Sequence, residues 1–219
     1  MDNQSELEAM RLSYDKGILV EKDIFEDPIR QFEQWFEQAK EAAIEEPNAM
    51  TLATVDEEGY PNARIVLLKG IESQGFRFYT NYDSKKGREM AKNPQVSLVF
   101  FWKELQRQVR IKGSVQKLSE KISTDYYQSR PKGSQVGAWV SPQSEIIKSR
   151  SILDEKQIKI ENQFQSMEQL PKPHFWGGYT VKPYQIEFWQ GRKSRLHDRI
   201  RYTLSSIDPL VWTIDRLAP

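Results

Sequence analysis

The chain has 219 residues and a net charge of +1, from 32 basic and 31 acidic side chains. This length allows one domain with a proper core, or at most two small ones, and so balanced a charge gives no global field that would draw the chain to nucleic acid or anionic lipid. Cysteine is absent and only His174 and His197 supply imidazole, which excludes disulfides and thiolate chemistry, and we expect no metal site. No apolar run approaches the roughly 20 residues of a membrane-spanning helix, and the polar start lacks the pattern of a secretion signal, so we expect a cytoplasmic location.

The first predicted elements are an arm and a helix. Residues 1–25 are polar and have no sustained hydrophobic period, which predicts a mobile N-terminal arm. A helix is predicted from Asp27-Pro28, a capping residue followed by proline at the first helical position, and it ends before Pro47. Apolar side chains at three- and four-residue steps give this helix one buried face.

From residue 49 the pattern changes to short strands. The segments 49–55 and 63–69 flank a turn and predict a hairpin, and a third strand follows Ser73-Gln74-Gly75 at 76–81. Further strands are predicted at 96–102, 107–118, 179–191, 199–204 and 211–217. Helices are predicted at 83–93, capped by Asp83 or Ser84, at 119–129, and from Ser144 to 164.

Most of these strands follow one another through short turns, without a helix between each pair. This order favours an α+β fold, with an antiparallel sheet or barrel and peripheral helices, over a doubly wound parallel fold. No Gly-x-Gly-x-x-Gly turn and no phosphate loop ending in Lys-Ser/Thr is present, so the two commonest nucleotide-binding motifs are excluded. We expect residues 26–219 to form a single domain.

Two segments near the predicted hairpin carry cations and hydroxyl groups. Arg64 and Lys69 are five positions apart and point to opposite faces of a regular strand, unless a bulge or a strand end intervenes. Taken alone, they are best explained as solvated cations at strand ends. A further group of hydroxyl and ammonium side chains meets a helix start, as a phosphate site requires; an ordinary solvated cap with two surface lysines explains it equally well. That group is Tyr79, Thr80, Ser84, Lys85 and Lys86.

A third segment could hold a second phosphate. Tyr126, Arg130 and Ser134 recur every four residues across a predicted helix end and turn. The alternative is that Tyr126 belongs to the core and that Arg130 is a cation favoured by the helix C-terminus. Gln143 and Ser144 would then only cap the next helix.

The segment after the long C-terminal strand gives the strongest signal. If 195–199 continue as a strand, Arg195, His197 and Arg199 share one face, close in sequence to Trp189. Such a row of like charges is costly unless an anion or a carboxylate faces it, so a binding role is favoured. His174 has no such neighbours and is interpreted as structural.

With these segments identified, the chain resembles the pyridoxamine 5′-phosphate oxidase family from end to end. The resemblance rests on RIVLLKG, FYTNYDSKKG, LQRQV, YYQSRPKGSQVGAWVSPQS, FWGGY, QIEFWQGRKSRLHDR and IDRLAP. It implies a split β-barrel flavoprotein, a homodimer with FMN bound non-covalently at the subunit interface. It also implies oxidation of pyridoxamine 5′-phosphate or pyridoxine 5′-phosphate to pyridoxal 5′-phosphate, with O2 reoxidising the flavin to give H2O2.

The resemblance also implies roles for individual residues. The positions that match FMN contacts are Arg64, Ile65, Val66, Leu67, Leu68, Lys69, Tyr79, Thr80, Lys85, Lys86, Gln108, Gln143, Ser144, Trp189 and Arg199. The positions that match contacts to the substrate are Arg11, Tyr14, Lys69, Tyr126, Arg130, Ser134, Arg195, Leu196 and His197. Of these, Arg195 and His197 match the catalytic pair that flanks the pyridine ring, and Arg11 and Tyr14 match residues that close over it. The arm departs from the family pattern at Leu12-Ser13, where the family often has a charged pair.

Two alternatives remain open from the sequence. A related split-barrel flavin oxidoreductase with another substrate would keep the FMN positions but leave Tyr126, Arg130, Ser134, Arg195 and His197 free to vary. A non-catalytic nucleic-acid-binding barrel would explain arginine and aromatic side chains on strands, but the balanced charge argues against it.

Overall fold

The computed structural model describes residues 3–10, 12–72 and 75–219. The helices are α1 (Asn3–Ala9), α2 (Pro28–Glu41), α3 (Lys85–Lys92), α4 (Glu120–Ser129), α5 (Lys132–Val140) and α6 (Ser151–Gln163). The strands are β1 (Ala49–Val55), β2 (Pro61–Leu67), β3 (Gly70–Glu72), β4 (Gly75–Asn81), β5 (Gln95–Trp102), β6 (Arg107–Lys117), β7 (Trp176–Gln190), β8 (Asp198–Ile207) and β9 (Leu210–Arg216). Short 3-10 turns lie at Glu21–Asp23, Lys103–Leu105 and Lys193–Arg195.

The nine strands form one sheet with the order β2-β1-β5-β6-β7-β4-β3, and β8 pairs with β7 and β9. The pairs β1–β2, β3–β4, β4–β7, β7–β8 and β8–β9 are all antiparallel. The predicted antiparallel sheet with peripheral helices is confirmed. Within the described residues, no helix is both long enough and apolar enough to cross a bilayer.

The chain groups into two compact units. Unit 1 consists of Met1–Asn48, Leu98–Ile111 and Tyr184–Pro219, and unit 2 of Ala49–Ser97 and Lys112–Pro183. The single domain proposed for 26–219 stays a prediction.

The core of unit 1 is built around α2. The Asp27 carboxylate accepts a hydrogen bond from the Ile29 amide at 2.9 Å, which caps the helix as predicted. On its buried face, Phe32 packs edge-on against Phe100 with 4.9 Å between ring centroids, and Trp35 packs against Phe188 at 5.2 Å. The predicted apolar face of this helix is therefore its core face.

The core of unit 2 places helices beside β4 and β7. The α4 side chain Tyr127 packs with Val136 and Val140 of α5, with α6, and with Trp176 at the start of β7. Gly178 pairs with Tyr79 across β4 and β7, and a Cβ atom there would lie 2.7 Å from the Tyr79 ring. Glycine at this position lets the Tyr79 ring lie flat against the neighbouring strand.

Local structure departs from the sequence prediction in three places. The predicted arm contains α1 and a 3-10 turn, while its mobility stays a prediction, and α5 was not predicted because it carries two glycines within nine residues. The last long helix begins at Ser151 rather than Ser144, which has a φ of +76° and cannot start a right-handed helix. The side chain of Ile146 is fully exposed, so this residue does not provide the buried helix face that the sequence prediction assumed.

Candidate functional site

Unit 2 contains a cleft of about 620 Å³. Its walls come from the end of β2, from β4, from the first turn of α3, and from α4 and α5. The predicted residues that line it are Ile65, Val66, Leu67, Lys69, Tyr79, Thr80, Lys86, Tyr126, Arg130, Ser134 and Gln143. Residues that the sequence did not single out also line it: Asn81, Pro131, Gly137, Ala138, Ser141 and Trp176. Trp176 lies in the FWGGY segment, which contributed to the family resemblance and could have indicated a role for this residue.

One end of the cleft is built around Lys86. Ser84 caps α3 by accepting a hydrogen bond from the Gly87 amide, and the turn places Lys86 at 9% exposure. The Lys86 ammonium donates to Gln143 Oε1 at 2.9 Å and to Ser84 Oγ at 3.3 Å, and Thr80 donates to the same Gln143 oxygen at 3.3 Å. Burial and the nearby Arg64 charge lower the pKa of Lys86 to about 8, with Glu89 opposing them. An anion here would favour the charged form of Lys86 and raise its pKa.

Arg64 and Lys69 differ in environment. Arg64 hydrogen-bonds Thr54 and pairs with the buried Glu89 carboxylate, and it does not line the cleft. Lys69 follows the end of β2 at Leu67, and its amide donates to Arg77 O at 2.8 Å. Because β2 ends before Lys69, the alternation of side chains between the two faces of the strand does not extend to this residue. The sequence prediction for Arg64 and Lys69 allowed for such a strand end. Of the two cations, only Lys69 lines the cleft.

The other end of the cleft is built around Arg130. This residue ends α4, and its guanidinium lies over the Trp176 ring at 4.7 Å from the centroid. Its Nη1 atom is buried and has no hydrogen-bond partner among the described residues. Burial lowers the pKa of Arg130 and raises that of Tyr126, whose ring stacks on Tyr79 at 3.8 Å. A half-buried guanidinium whose buried Nη1 donor is unused favours an acceptor beside it, and a phosphate oxygen provides one.

Unit 1 contains a separate aromatic group around His197. The His197 ring lies 4.6 Å from Trp189 and 5.9 Å from Tyr14, and Tyr14 meets Trp189 edge-on at 5.8 Å. His197 Nδ1 accepts a hydrogen bond from the Arg192 amide at 3.1 Å, so a neutral ring carries its proton on Nε2. Burial and the Arg195 charge lower the pKa of His197, which favours the neutral ring. The outer nitrogen is therefore a hydrogen-bond donor.

The Arg-His-Arg row is not formed on a strand, so that prediction is wrong. Arg195 lies in the 3-10 turn with a φ of +61°, next to Ser194 at +58°, and β8 starts only at Asp198. Two adjacent left-handed residues break the alternation and leave Arg195 exposed. Arg199, which is in β8, donates to Glu187 at 3.0 Å, so a carboxylate does face this cation.

The remaining predicted residues are spread over both units. Lys85 lies in a smaller cleft with Asp56, Glu57 and Glu58, rather than in the large one. Leu68 is buried, Gln108 is half-buried, and Ser144 and Leu196 are exposed. Arg11, together with Ser73 and Gln74 of the predicted turn, lies outside the described residues.

A sequence profile described as pyridoxamine 5′-phosphate oxidase matches residues 36–163, more than half of the chain. The chain belongs to this family. A second profile, described as the pyridoxine 5′-phosphate oxidase C-terminal dimerisation region, matches residues 176–219. The family resemblance inferred from the sequence motifs is thereby confirmed.

Curated relatives in this family match over nearly their full lengths. The chain is 50% identical to the pyridoxine/pyridoxamine 5′-phosphate oxidase of Salinibacter ruber, over 98% of this chain and 100% of the relative. It is 52% identical to the enzyme of the same name from Trichormus variabilis, over 96% and 97%. These family relationships support the assignment of the chain to the oxidoreductases of vitamin B6 phosphate metabolism.

Two solved structures share the fold of this chain. PhzG from Burkholderia lata, crystallised with tetrahydrophenazine-1-carboxylic acid, has a TM-score of 0.86 at 28% identity, over 95% of this chain and 100% of that one. A pyridoxamine 5′-phosphate oxidase-related, FMN binding protein from Nostoc punctiforme has a TM-score of 0.68 at 16% identity, over 88% and 98%. The predicted α+β split-barrel class is confirmed.

Proposed function

We propose that this family member is an FMN-dependent oxidase that converts pyridoxamine 5′-phosphate or pyridoxine 5′-phosphate to pyridoxal 5′-phosphate, with O2 as the electron acceptor and H2O2 as the second product. The observation that carries the proposal is the unit 2 cleft, which has a cationic group at Lys86 and another at Arg130. A phosphoester carries a charge near −2 at neutral pH, so two such groups match a phosphorylated cofactor and a phosphorylated substrate.

The Lys86 end suits the phosphate of FMN. Thr80, Lys86 and Gln143 share hydrogen bonds there, and burial lowers the pKa of Lys86, so a phosphate at this end would favour its charged form. We assign these three residues, with Arg64 and Lys69, to FMN binding. FMN, when bound, accepts a hydride and passes the electrons to O2.

The Arg130 end suits the phosphate of the substrate. Arg130 offers the unused Nη1 donor, and Ser134 and Lys69 line the same cleft. The stacked rings of Tyr79 and Tyr126 form a flat wall there, against which a pyridine ring can be oriented. Holding the substrate by its phosphate fixes the position of the C4′ carbon, from which the hydride leaves.

Arg195 and His197 are assigned to the pyridine ring of the substrate. The exposed Arg195 can hold the substrate ring by donating hydrogen bonds to its polar groups, and the Nε2 proton of neutral His197 can orient a substrate oxygen. When the amine is the substrate, loss of a hydride and a proton gives an imine, and water converts it to the aldehyde with release of ammonia. The hydroxyl substrate gives the aldehyde directly.

We also propose that the chain acts as a homodimer with FMN at the subunit interface. The match of residues 176–219 to a dimerisation region supports it. Because FMN would then contact both copies, cofactor binding and assembly would stabilise each other. Light scattering with and without FMN tests this, and a monomer at micromolar concentration with bound FMN contradicts it.

The similarity to PhzG supports a second candidate, a related flavin oxidoreductase that acts on a reduced tricyclic acid. One experiment separates the two. Purified protein should show flavin absorption bands at about one FMN per chain, and added pyridoxine 5′-phosphate in air should yield aldehyde absorbance and peroxide. Bound flavin without aldehyde would support the second candidate, and a colourless protein that does not take up FMN would contradict both.

A further inference from the structure

The N-terminal arm is held in unit 1 by the side chain of Gln106. The amide oxygen of Gln106 accepts hydrogen bonds from the backbone amides of Asp15 at 2.9 Å and Lys16 at 3.1 Å. Gln106 is 8% exposed, and it has a left-handed backbone with φ 54° and ψ 42°. A buried polar side chain at a strained position, bonded to a segment about 90 residues away in sequence, indicates a specific role.

The backbone of Gln106 contacts the turn after β7 as well. Its carbonyl accepts a hydrogen bond from the Gly191 amide at 2.8 Å and from the Gln190 side chain at 3.3 Å. Gln106 therefore joins two segments that are far apart in sequence, the arm and the end of β7. These segments carry Tyr14 and Trp189 respectively.

The arm approaches this turn closely because two glycines leave room for it. A Cβ atom on Gly191 would lie 2.9 Å from Tyr14 Cβ, and one on Gly17 would lie 2.8 Å from the Gln190 amide oxygen. Real Cβ atoms do not approach other atoms so closely, so this position of the arm depends on Gly191, whereas a side chain at position 17 would require the Gln190 amide to move. Tyr14 is thereby placed against Trp189 and His197.

We infer that Gln106 is a positioning residue, which holds the arm so that Tyr14 meets the substrate beside His197. This inference rests on the proposed function, because it gives Tyr14 a substrate to contact. Gln106 does not line the unit 2 cleft. Its side-chain amide contacts the backbone of the arm, through the amides of Asp15 and Lys16 and the carbonyl of Ser13.

The test compares Gln106→Ala with Gln106→Glu and Lys16→Ala in the FMN-loaded protein. Gln106→Ala leaves two amides without their acceptor, so hydrogen exchange at Asp15 and Lys16 should rise about tenfold or more. The KM for pyridoxine 5′-phosphate should rise about tenfold with little change in FMN affinity. Gln106→Glu keeps an acceptor oxygen for both amides and loses only the 3.5 Å hydrogen bond to the Ser13 carbonyl, so it should restore both values to within about threefold of wild type. Lys16→Ala removes only an exposed side-chain bond to the Glu104 carbonyl and should change neither.

The outcomes separate the two proposals. Unchanged exchange in Gln106→Ala overturns the arm contact, whether or not the protein is an oxidase. Faster exchange with an unchanged KM overturns the positioning role and leaves the oxidase activity standing. If the wild-type protein does not turn over pyridoxine 5′-phosphate, the proposed function and the positioning role are both wrong.

Discussion

Arg64 and Glu89 form an ion pair in unit 2, with 3.3 Å between Arg64 Nη2 and Glu89 Oε2. Only 5% of the Glu89 side chain is exposed, and its carboxylate also accepts hydrogen bonds from Thr54 and Asn62. This buried carboxylate balances three neighbouring cations, because it also pairs with Lys85 at 3.9 Å and opposes the lowering of the Lys86 pKa.

Glu89→Gln should therefore destabilise the protein. The substitution leaves Arg64 without its charge partner, and we expect the free energy of unfolding to fall by about 1–3 kcal/mol. Glu57→Gln is the matched control, since the Glu57 side chain is 64% exposed in its pair with Lys92 and should cost less than about 0.5 kcal/mol. Urea unfolding of both variants measures the difference; equal losses would show that the Glu89 pair has no special role.

Binding of FMN at alkaline pH should be accompanied by proton uptake. The pKa of Lys86 is about 8 in the folded protein, compared with an ordinary value of 10.5, so Lys86 is mostly neutral between these values. A bound phosphate favours the ammonium form, and affinity should fall as the pH rises above about 8. Calorimetry at pH 8.5 in buffers of different ionisation enthalpy measures the uptake. Lys86→Met should abolish it and Lys85→Met should retain it; uptake that survives in Lys86→Met would assign the proton elsewhere.

The same pKa shift predicts how stability depends on pH. Because burial lowers the folded-state pKa of Lys86, the unfolded chain binds the proton more tightly. The FMN-free protein should gain stability from this group as the pH rises from about 8 towards 10.5. Denaturant titrations of wild type and Lys86→Met across this range measure the difference between them. A wild-type gain no larger than that of the variant would contradict the assignment.

Arg130→Met should separate substrate binding from stability. Removing a half-buried guanidinium whose buried Nη1 atom has no partner among the described residues should leave the unfolding free energy unchanged or higher. The KM for pyridoxine 5′-phosphate should rise at least about tenfold, since a charged hydrogen bond to phosphate is lost. Lys132→Met, which removes an exposed bond to the Met167 carbonyl, should leave KM unchanged. A destabilised Arg130→Met with normal KM would place Arg130 in the core rather than at a phosphate.

Arg195→Leu should lower turnover more than FMN affinity, and it should raise the pKa of His197. The Arg195 charge contributes to the lowered His197 pKa, after the larger effect of burial. The chain has two histidines, so a proton NMR titration with His174→Gln as the assignment variant follows His197 directly. Lys193→Leu, in the same turn, is the control. Wild-type turnover in Arg195→Leu would refute its role at the substrate.

The sequence predicted those elements in which local signals and packing agree. Asp27 and Ser84 cap helices as expected, and the strands around the cleft lie near their predicted positions. The Lys86 and Arg130 groups were both proposed from hydroxyl and cationic side chains next to a helix start or end. The sequence could not show that the Lys86 and Arg130 groups line one cleft. They come together because β4 pairs with β7, and these strands are about 100 residues apart in sequence.

The failures share a physical cause, which is backbone conformation that side-chain patterns do not encode. Ser144, Ser194 and Arg195 all have positive φ without being glycine, so helix and strand periods continued through them in prediction but not in the fold. The contacts of Gln106 were missed for the same reason. Nothing in its neighbourhood indicated that a glutamine would be buried against the arm.

The division of the chain into interleaved segments has a consequence for folding during synthesis. Unit 2 is complete once residue 183 has emerged, whereas unit 1 needs the segment from Tyr184 to Pro219. Residues 1–48, including α2 with its apolar face, must therefore wait through most of translation for their final partners. We expect nascent chains that stall before β8 to expose the apolar face of that helix. These incomplete chains should bind chaperones and should be prone to aggregation.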